Sequence, residues 1–335
     1  MAEDSHPAYL SPSELGTKDY WESYYARTLA HISHEAPTEP NDNDKSEGKD
    51  DDAASTASDL NDEDDPGTSW FSEHNAPQKV LHFLTRKSFP LSPRNTAHKK
   101  DTVRQPSVLD LGTGNGSMLA LLRKKGGFRG RLVGVDYSRQ SVELARELQR
   151  VKGHSAYRTD SEDESDSNSE EDEGEADADA GAGSNDLPEQ ETSIQFEEWD
   201  ILGSKALLSE TGLEVSPPSS SQESLPWFPY QQGGFDIVLD KGTFDAVSLA
   251  DDAKTTRVCE RYPDIARRLV RRGGYLVVTT CNWTEEELVH WFTGERTSGD
   301  RLAVWGRVEY PRFRFGGHEG QGVCTVCFQR LGDDA

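Results

Sequence analysis

Cysteine and methionine are both scarce in this 335-residue chain, at 4 and 2 residues. No apolar run approaches the roughly 20 residues that a membrane-spanning helix needs. The only close cysteine pair, Cys324 and Cys327 in "GVCTVCFQR", falls in a stretch that reads as a strand, where residues three apart point to opposite faces. With no second pair to complete a zinc site, packed and reduced thiols are expected, and no metal. The opening "MAEDSHPAYLSPSELG" has neither a basic n-region nor an apolar h-region. A cytoplasmic protein without a membrane partner is therefore expected.

Basic residues are missing from one long stretch. Residues 159–191 hold 15 acidic side chains and none basic, and residues 36–68 hold 12 acidic against 2 basic. Removing these runs from the chain's 61 acidic and 36 basic residues leaves 34 of each sign, so they account for the whole net charge of −25. The remainder is electrically balanced and offers no basic surplus of the kind that nucleic-acid readers show, so no direct nucleic-acid partner is expected. Both runs lack the apolar residues that would offset ordering entropy and are expected to be disordered, solvated insertions.

What is present alternates between strand-like and helix-like segments. "SVLDLG", "RLVGVD", "TSIQFEEWD", "FDIVLD" and "LVRRGGYLVVTTCN" are short apolar runs ending at polar residues or glycine, and "SMLALLRKK", "SRQSVELARELQR" and "TEEELVHWF" are amphipathic. Ser138 is placed to cap the second of these helices, and Thr284 with Glu287 has capping-box spacing before the third. "RVEYPRFRF" and "GVCTVCFQRL" read as two final antiparallel strands. The expected division is an N-terminal helical and aromatic segment (1–35), an acidic insertion (36–68) and one domain (69–332). That domain is interrupted by the second insertion (159–191) and by a flexible Pro/Ser loop (211–233). The fold class is α/β: a seven-stranded Rossmann-like sheet, mostly parallel with a C-terminal antiparallel hairpin. This is the plan of class I S-adenosylmethionine-dependent methyltransferases, although topology alone does not fix function.

"VLDLGTGNGS" is the most informative stretch. Gly112, Gly114 and Gly116 permit a tight turn from strand to helix and leave room for a ligand at the helix N-terminus. A dinucleotide fingerprint wants glycine where Ser117 stands. Asp110, two residues before the first glycine, would repel a pyrophosphate but suits the cationic methionine end of S-adenosylmethionine, so the charge logic favours the methyl donor as cofactor. Asp136 ends the second strand and can accept from both ribose hydroxyls, with Tyr137 placed to pack on adenine. Asp200, ending "EEWD", is an acceptor for the adenine amino group; Trp199 beside it either flanks the ring or fills the core.

The fourth strand ends in "DKGT" (Asp240 to Thr243), where enzymes that methylate planar nitrogens often carry an Asn/Asp-Pro-Pro-aromatic tetrapeptide. Its absence argues for a flexible amine, and Asp240, with Asp245 nearby, is expected to meet a cationic acceptor. Asn282 and Trp283 either line the acceptor channel or merely shape the turn and staple the following helix. Lys241 either orients Asp240 or binds substrate acids, and a solvated side chain is its plainer reading. In "LGTKDYWESYYARTL", Trp21 belongs to an aromatic helix that either packs on the domain or closes as a lid over the cofactor.

"ELGTKDYWESYYARTL", "VLDLGTGNGSMLALL", "GVDYS", "LDKGTFDAVSL", "TTCNWTEEEL" and "FRFGG" together resemble the lysine methyltransferases that modify translation elongation factor 1-alpha, the fungal enzyme and its animal counterpart. "LDKGTFDA" with "TCNWT" is specific to that group; the glycine loop is common to the superfamily. The resemblance implies transfer of one or more methyl groups from S-adenosylmethionine to a lysine of elongation factor 1-alpha in the cytoplasm; a monomer is expected. The alternatives are an enzyme acting on a small amine or other metabolite, and a catalytically silent binding module.

Overall fold

The computed structural model describes residues 7–35, 71, 74–96, 105–152, 157, 193–216, 223–251, 257–294, 299–311, 313–315, 318–320 and 322–332. Both acidic runs expected to be disordered lie outside these residues.

Five strands form the parallel part of the sheet: β1 (Val108–Leu111), β2 (Leu132–Asp136), β3 (Gln195–Glu198), β4 (Phe235–Lys241) and β5 (Val270–Thr280). β6 (Arg301–Val308) and, after the short hairpin β7 (Phe313–Phe315) and β8 (His318–Gly320), β9 (Cys324–Leu331) complete the set. The order across the main sheet is β3-β2-β1-β4-β5-β9-β6, with β9 antiparallel to both β5 and β6. The C-terminal hairpin is therefore present, but its first strand is "RLAVWGRV" and not "RVEYPRFRF". Leu302 and Val304 supply its core-facing side chains, and the segment containing Pro311, which lacks a ladder donor, lies beyond its end.

Alternation along the strands divides the interior into two layers. Leu109, Leu111, Val135, Val238 and Val278 face one cluster, while Val108, Leu132, Ile237, Leu239 and Val277 face the other. Strands buried on both faces are the mark of a parallel sheet covered by helices. Cys324 and Cys327 separate into the two layers, as their spacing predicts.

The helices are α1 (Lys18–Glu35), α2 (Ala76–Thr85), α3 (Pro93–Thr96), α4 (Ser117–Lys124), α5 (Arg139–Val151), α6 (Thr243–Ser248), α7 (Val258–Leu269) and α8 (Glu285–Thr293). The Ser138 side chain accepts from Ser141 N–H at 3.2 Å to cap α5, whose Val142, Ala145 and Leu148 are buried. The full capping box of Thr284 and Glu287 opens α8.

Of the expected Pro/Ser loop (211–233), residues 217–222 lie outside the described residues, and the part that follows is anchored. Leu225, Trp227, Phe228 and Tyr230 are buried in the larger cluster, and Trp227 meets Trp199 edge-on at 5.1 Å. Aromatic burial of this kind contributes about 1.5–3 kcal/mol per side chain. "LPWFPY" thus anchors the segment whose Pro and Ser content suggested a loop.

Candidate functional site

A cleft enclosing about 1110 Å³, open solvent included, lies over the C-terminal ends of β1, β2 and β4, where open α/β sheets place their ligands. Its floor is the turn after β1. Gly112, Gly114 and Gly116 all have φ between +57 and +77, a region costly for residues with a side chain. Each glycine answers a different neighbour. A Cβ at Gly112 would drive into the Thr243 hydroxyl, one at Gly114 would meet the Tyr25 hydroxyl at 3.0 Å, and one at Gly116 would strike Phe196 and Tyr157. Gly112 and Gly114 line the cleft; Gly116 does not, and instead starts α4 against packed aromatic rings.

The acids behind this floor are buried. Asp110 lies beneath the lining, and its Oδ2 accepts from the Thr113 hydroxyl at 2.8 Å, so Thr113 is what the cleft meets. Burial pushes its carboxyl up to about 6. Asp136 does line the cleft, and burial also raises it to about 6. Its Oδ1 accepts from Ser138 N–H at 2.9 Å, and its Oδ2 from Gly114 N–H at 3.1 Å and the Ser141 hydroxyl at 2.8 Å. An ionised carboxylate offers about four acceptor sites, so three are already used and one remains. Asp136 therefore fixes the glycine loop to β2 and keeps acceptor capacity for a ligand in the cleft.

Tyr137, Trp199 and the exposed Asp200 form the β2–β3 end of the cleft. Asp200 Oδ1 accepts from the N–H groups of Leu202 and Gly203, both at 3.0 Å, so it also shapes its own turn. Trp199 does both things anticipated for it: it packs in the core and lines the cleft. Its buried indole N–H has no partner among the described residues.

The N-terminal segment spans the mouth. Ser13 N–H bonds to the Leu249 carbonyl at 3.0 Å after α6, and Gly16 packs so closely on Leu249 and Ala250 that no side chain fits. On the other side, Glu22 accepts from the N–H groups of Arg139 (3.0 Å) and Gln140 (3.3 Å), using the positive N-terminus of α5. Between these fastenings Trp21 and Tyr25, stacked at 5.9 Å, line the cleft, while the Tyr137 hydroxyl donates to the Thr17 carbonyl at 3.1 Å. The helix packs on the domain, with Tyr25, Leu29 and Ile32 against Leu144 and Leu148 of α5, and also presents Trp21 and Tyr25 to the cleft.

The acceptor candidates lie away from the cleft lining. Asp240 does not line the cleft. It is buried on the opposite face of β4, where Oδ1 accepts from Thr243 N–H (2.9 Å) and Phe244 N–H (3.2 Å) and Oδ2 from the Tyr262 hydroxyl (2.7 Å). Burial pushes it up to about 7. Asp245, also buried, accepts from the Thr280 hydroxyl and from Cys281 N–H at 3.0 Å. Trp283 stacks on Phe244 at 6.0 Å within the core, and Asn282 N–H bonds to the Thr280 hydroxyl at 3.2 Å. Neither lines the cleft, so the turn-shaping and stapling readings fit.

Sequence reasoning gave Lys241 and Tyr25 no cofactor role and assigned none to Thr243, Thr113 or Glu22. Strand alternation held the signal for Lys241: if Asp240 faces inward, its neighbour faces the cleft. Thr243 lines the cleft while its hydroxyl donates to the Leu111 carbonyl at 2.6 Å, latching the β4–α6 turn onto the glycine loop.

Residues 103–173 match a family model described as a methyltransferase domain. That match spans β1, α4, β2 and α5. Along 96% of its length it is 29% identical to protein-lysine N-methyltransferase EFM4 of Saccharomyces cerevisiae, covering 96% of that protein. It is 23% identical to human EEF1A lysine methyltransferase 2, over 96% of this chain and 88% of the other. Among solved structures, a TehB-like SAM-dependent methyltransferase of Corynebacterium glutamicum superposes with a TM-score of 0.35 at 13% identity, over 76% of this chain and 94% of that one.

S-adenosylmethionine is the cofactor of this methyltransferase, and the residues present fit it. The left-handed glycine turn brings backbone close to a ligand, and Asp136 keeps an acceptor site open toward the cleft. Trp199 and Tyr137 give flat surfaces for a purine, and Thr113 with Asp110 behind it places partial negative charge at the β1 end.

Proposed function

We propose that this methyltransferase modifies a lysine ε-amine of translation elongation factor 1-alpha, acting as a monomer in the cytoplasm. The observation that carries the substrate is similarity along 96% of the chain to two curated proteins. One is named for protein-lysine methylation and the other for lysine methylation of EEF1A. The site is compatible with such an acceptor: the cleft is open, and no proline-flanked planar cradle follows β4.

Held beside Thr113, Asp136 and Trp199, S-adenosylmethionine would supply an electrophilic methyl group open to in-line attack by a neutral amine, the thioether leaving as its bond to that carbon breaks. The chain's own task is to hold the acceptor in register and strip its proton. Trp21 and Tyr25 from the lid and Ala246 and Val247 from α6 form the apolar end of the cleft. Apolar surroundings disfavour an ammonium and lower its pKa. Among the described residues lining that end none is a carboxylate, so no side chain there restores the proton. Asp240 contributes by holding the turn that carries Lys241 and Thr243, as a positioning residue. Alignment of amine and methyl supplies the remainder of the rate.

The test is labelled donor with recombinant elongation factor 1-alpha, followed by mass-spectrometric mapping. Label on one lysine is the expected result; label entering a metabolite extract but not that protein would overturn the substrate. Light scattering checks the monomer, and cell fractionation the compartment.

A further inference from the structure

Lys241 is the charged residue of the β4 turn that faces the cleft. Leu239 pairs with Asp110 across β4 and β1, and alternate residues of a strand share a face, so Lys241 and Asp110 project from the same side of the sheet on neighbouring strands. The half-buried Lys241 ammonium stands 5.9 Å from the Phe71 ring centre, within reach of a cation–π contact. Its charge is close enough to Asp110 to oppose the rise that burial imposes on that acid. The other two acids of the turn, Asp240 and Asp245, are held by their own donors.

A fixed cation at this place is a puzzle for a site that binds a sulfonium, because like charges repel. The donor carries one anion, the α-carboxylate of its amino-acid head. Trp199, Tyr137, Asp136 and Asp200 occupy the β2–β3 end of the cleft and suit adenosine, which leaves the amino-acid head at the β1–β4 end, beside Thr113 and Lys241. We infer that Lys241 binds the α-carboxylate of the methyl donor, with Asp110 behind Thr113 facing the donor's α-ammonium. The pair then reads the two opposite charges of the head, and the turn "DKGT" recognises the donor and not the acceptor. This rests on the assignment of S-adenosylmethionine to the cleft.

Calorimetry on the full chain tests it with two probes: S-adenosylhomocysteine, which has the amino-acid head, and 5′-deoxy-5′-methylthioadenosine, which lacks it. Lys241→Met keeps the stem and removes the charge. It is expected to weaken S-adenosylhomocysteine roughly 10- to 100-fold, the worth of a charge-assisted contact, and to leave methylthioadenosine within about twofold. Lys241→Arg should keep most of the affinity. Equal losses for both probes would make Lys241 a shaping residue and overturn the inference. So would unchanged binding of both, the result expected if Lys241 instead meets acidic groups on the acceptor. Wild-type protein that binds neither probe would remove the donor assignment itself, a separate failure.

Discussion

Replacing Gly112 by alanine tests how the glycine loop and the β4 turn are joined. Gly112 sits at φ +58, where an L-residue costs about 1–2 kcal/mol. The added methyl group would lie 3.2 Å from both Cβ and Cγ2 of Thr243 and be driven into its hydroxyl. The hydroxyl must turn away, which breaks its 2.6 Å bond to the Leu111 carbonyl, a further loss of about 0.5–1.5 kcal/mol. Gly112→Ala is therefore expected to cost about 2–3 kcal/mol, and Thr243→Ala about 1 kcal/mol for the same bond. In the double variant the bond is lost once and the collision disappears. The two changes should then sum to about 1 kcal/mol more than the double variant costs. Urea unfolding of the four proteins, read at constant m-value, measures the coupling. Additivity within about 0.5 kcal/mol would refute a shared latch.

Three further outcomes follow from the geometry. Glu22→Ala removes the acceptor from two N–H groups at the start of α5 and should cost about 0.5–2 kcal/mol while speeding release of S-adenosylhomocysteine in stopped flow; unchanged release would detach the lid from this contact. Asp110 and Asp136, at about 6, and Asp240, at about 7, lie above the value of about 4 for an unfolded aspartate, so the native state holds these protons more tightly. Their contribution is fully present below about pH 4 and lost as pH rises through about 6 to 7; melting temperature without donor should therefore fall from pH 5 to 8, less so in Asp240→Asn, and a rise would contradict the assignment. Tyr262→Phe deletes a 2.7 Å bond to Asp240 and should lower stability by about 1 kcal/mol with little change in KM for the protein acceptor; a large KM increase would return Asp240 to the acceptor site.

The parallel sheet was legible because its strands are short apolar runs with polar ends, and the glycine turn because φ near +60 costs glycine least. Caps at Ser138 and Thr284 follow from local chemistry and appear where expected. What escaped was nonlocal. Glu22 caps a helix 117 residues away, and Thr243 bonds a carbonyl 132 residues away, contacts no spacing rule encodes. Asp240 misled because a carboxylate at a strand end is equally suited to a ligand and to the first N–H groups of the helix behind it, and only the facing of Tyr262 decides between them. The burial of Leu225, Trp227, Phe228 and Tyr230 in "LPWFPY" was hidden by the Pro and Ser content around it.

The chemistry of "DKGT" thus divides by strand face. Asp240 turns inward and joins Tyr262 to the first N–H groups of α6, Thr243 reaches across to β1, and Gly242, at φ +85, makes the turn between them. These three residues set a frame, and Lys241 alone projects its charge into the cleft. A frame made this way brings no carboxylate of the turn to the acceptor, so the acceptor's proton passes to solvent, released as apolar surroundings lower the ammonium's pKa. Trp21 and Tyr25 exclude water from an incoming amine, and the fastenings at Ser13 and Glu22 hold them there. Proton loss from the acceptor is on this reasoning a property of lid closure, which binds the N-terminal segment to the chemistry as closely as the glycine loop.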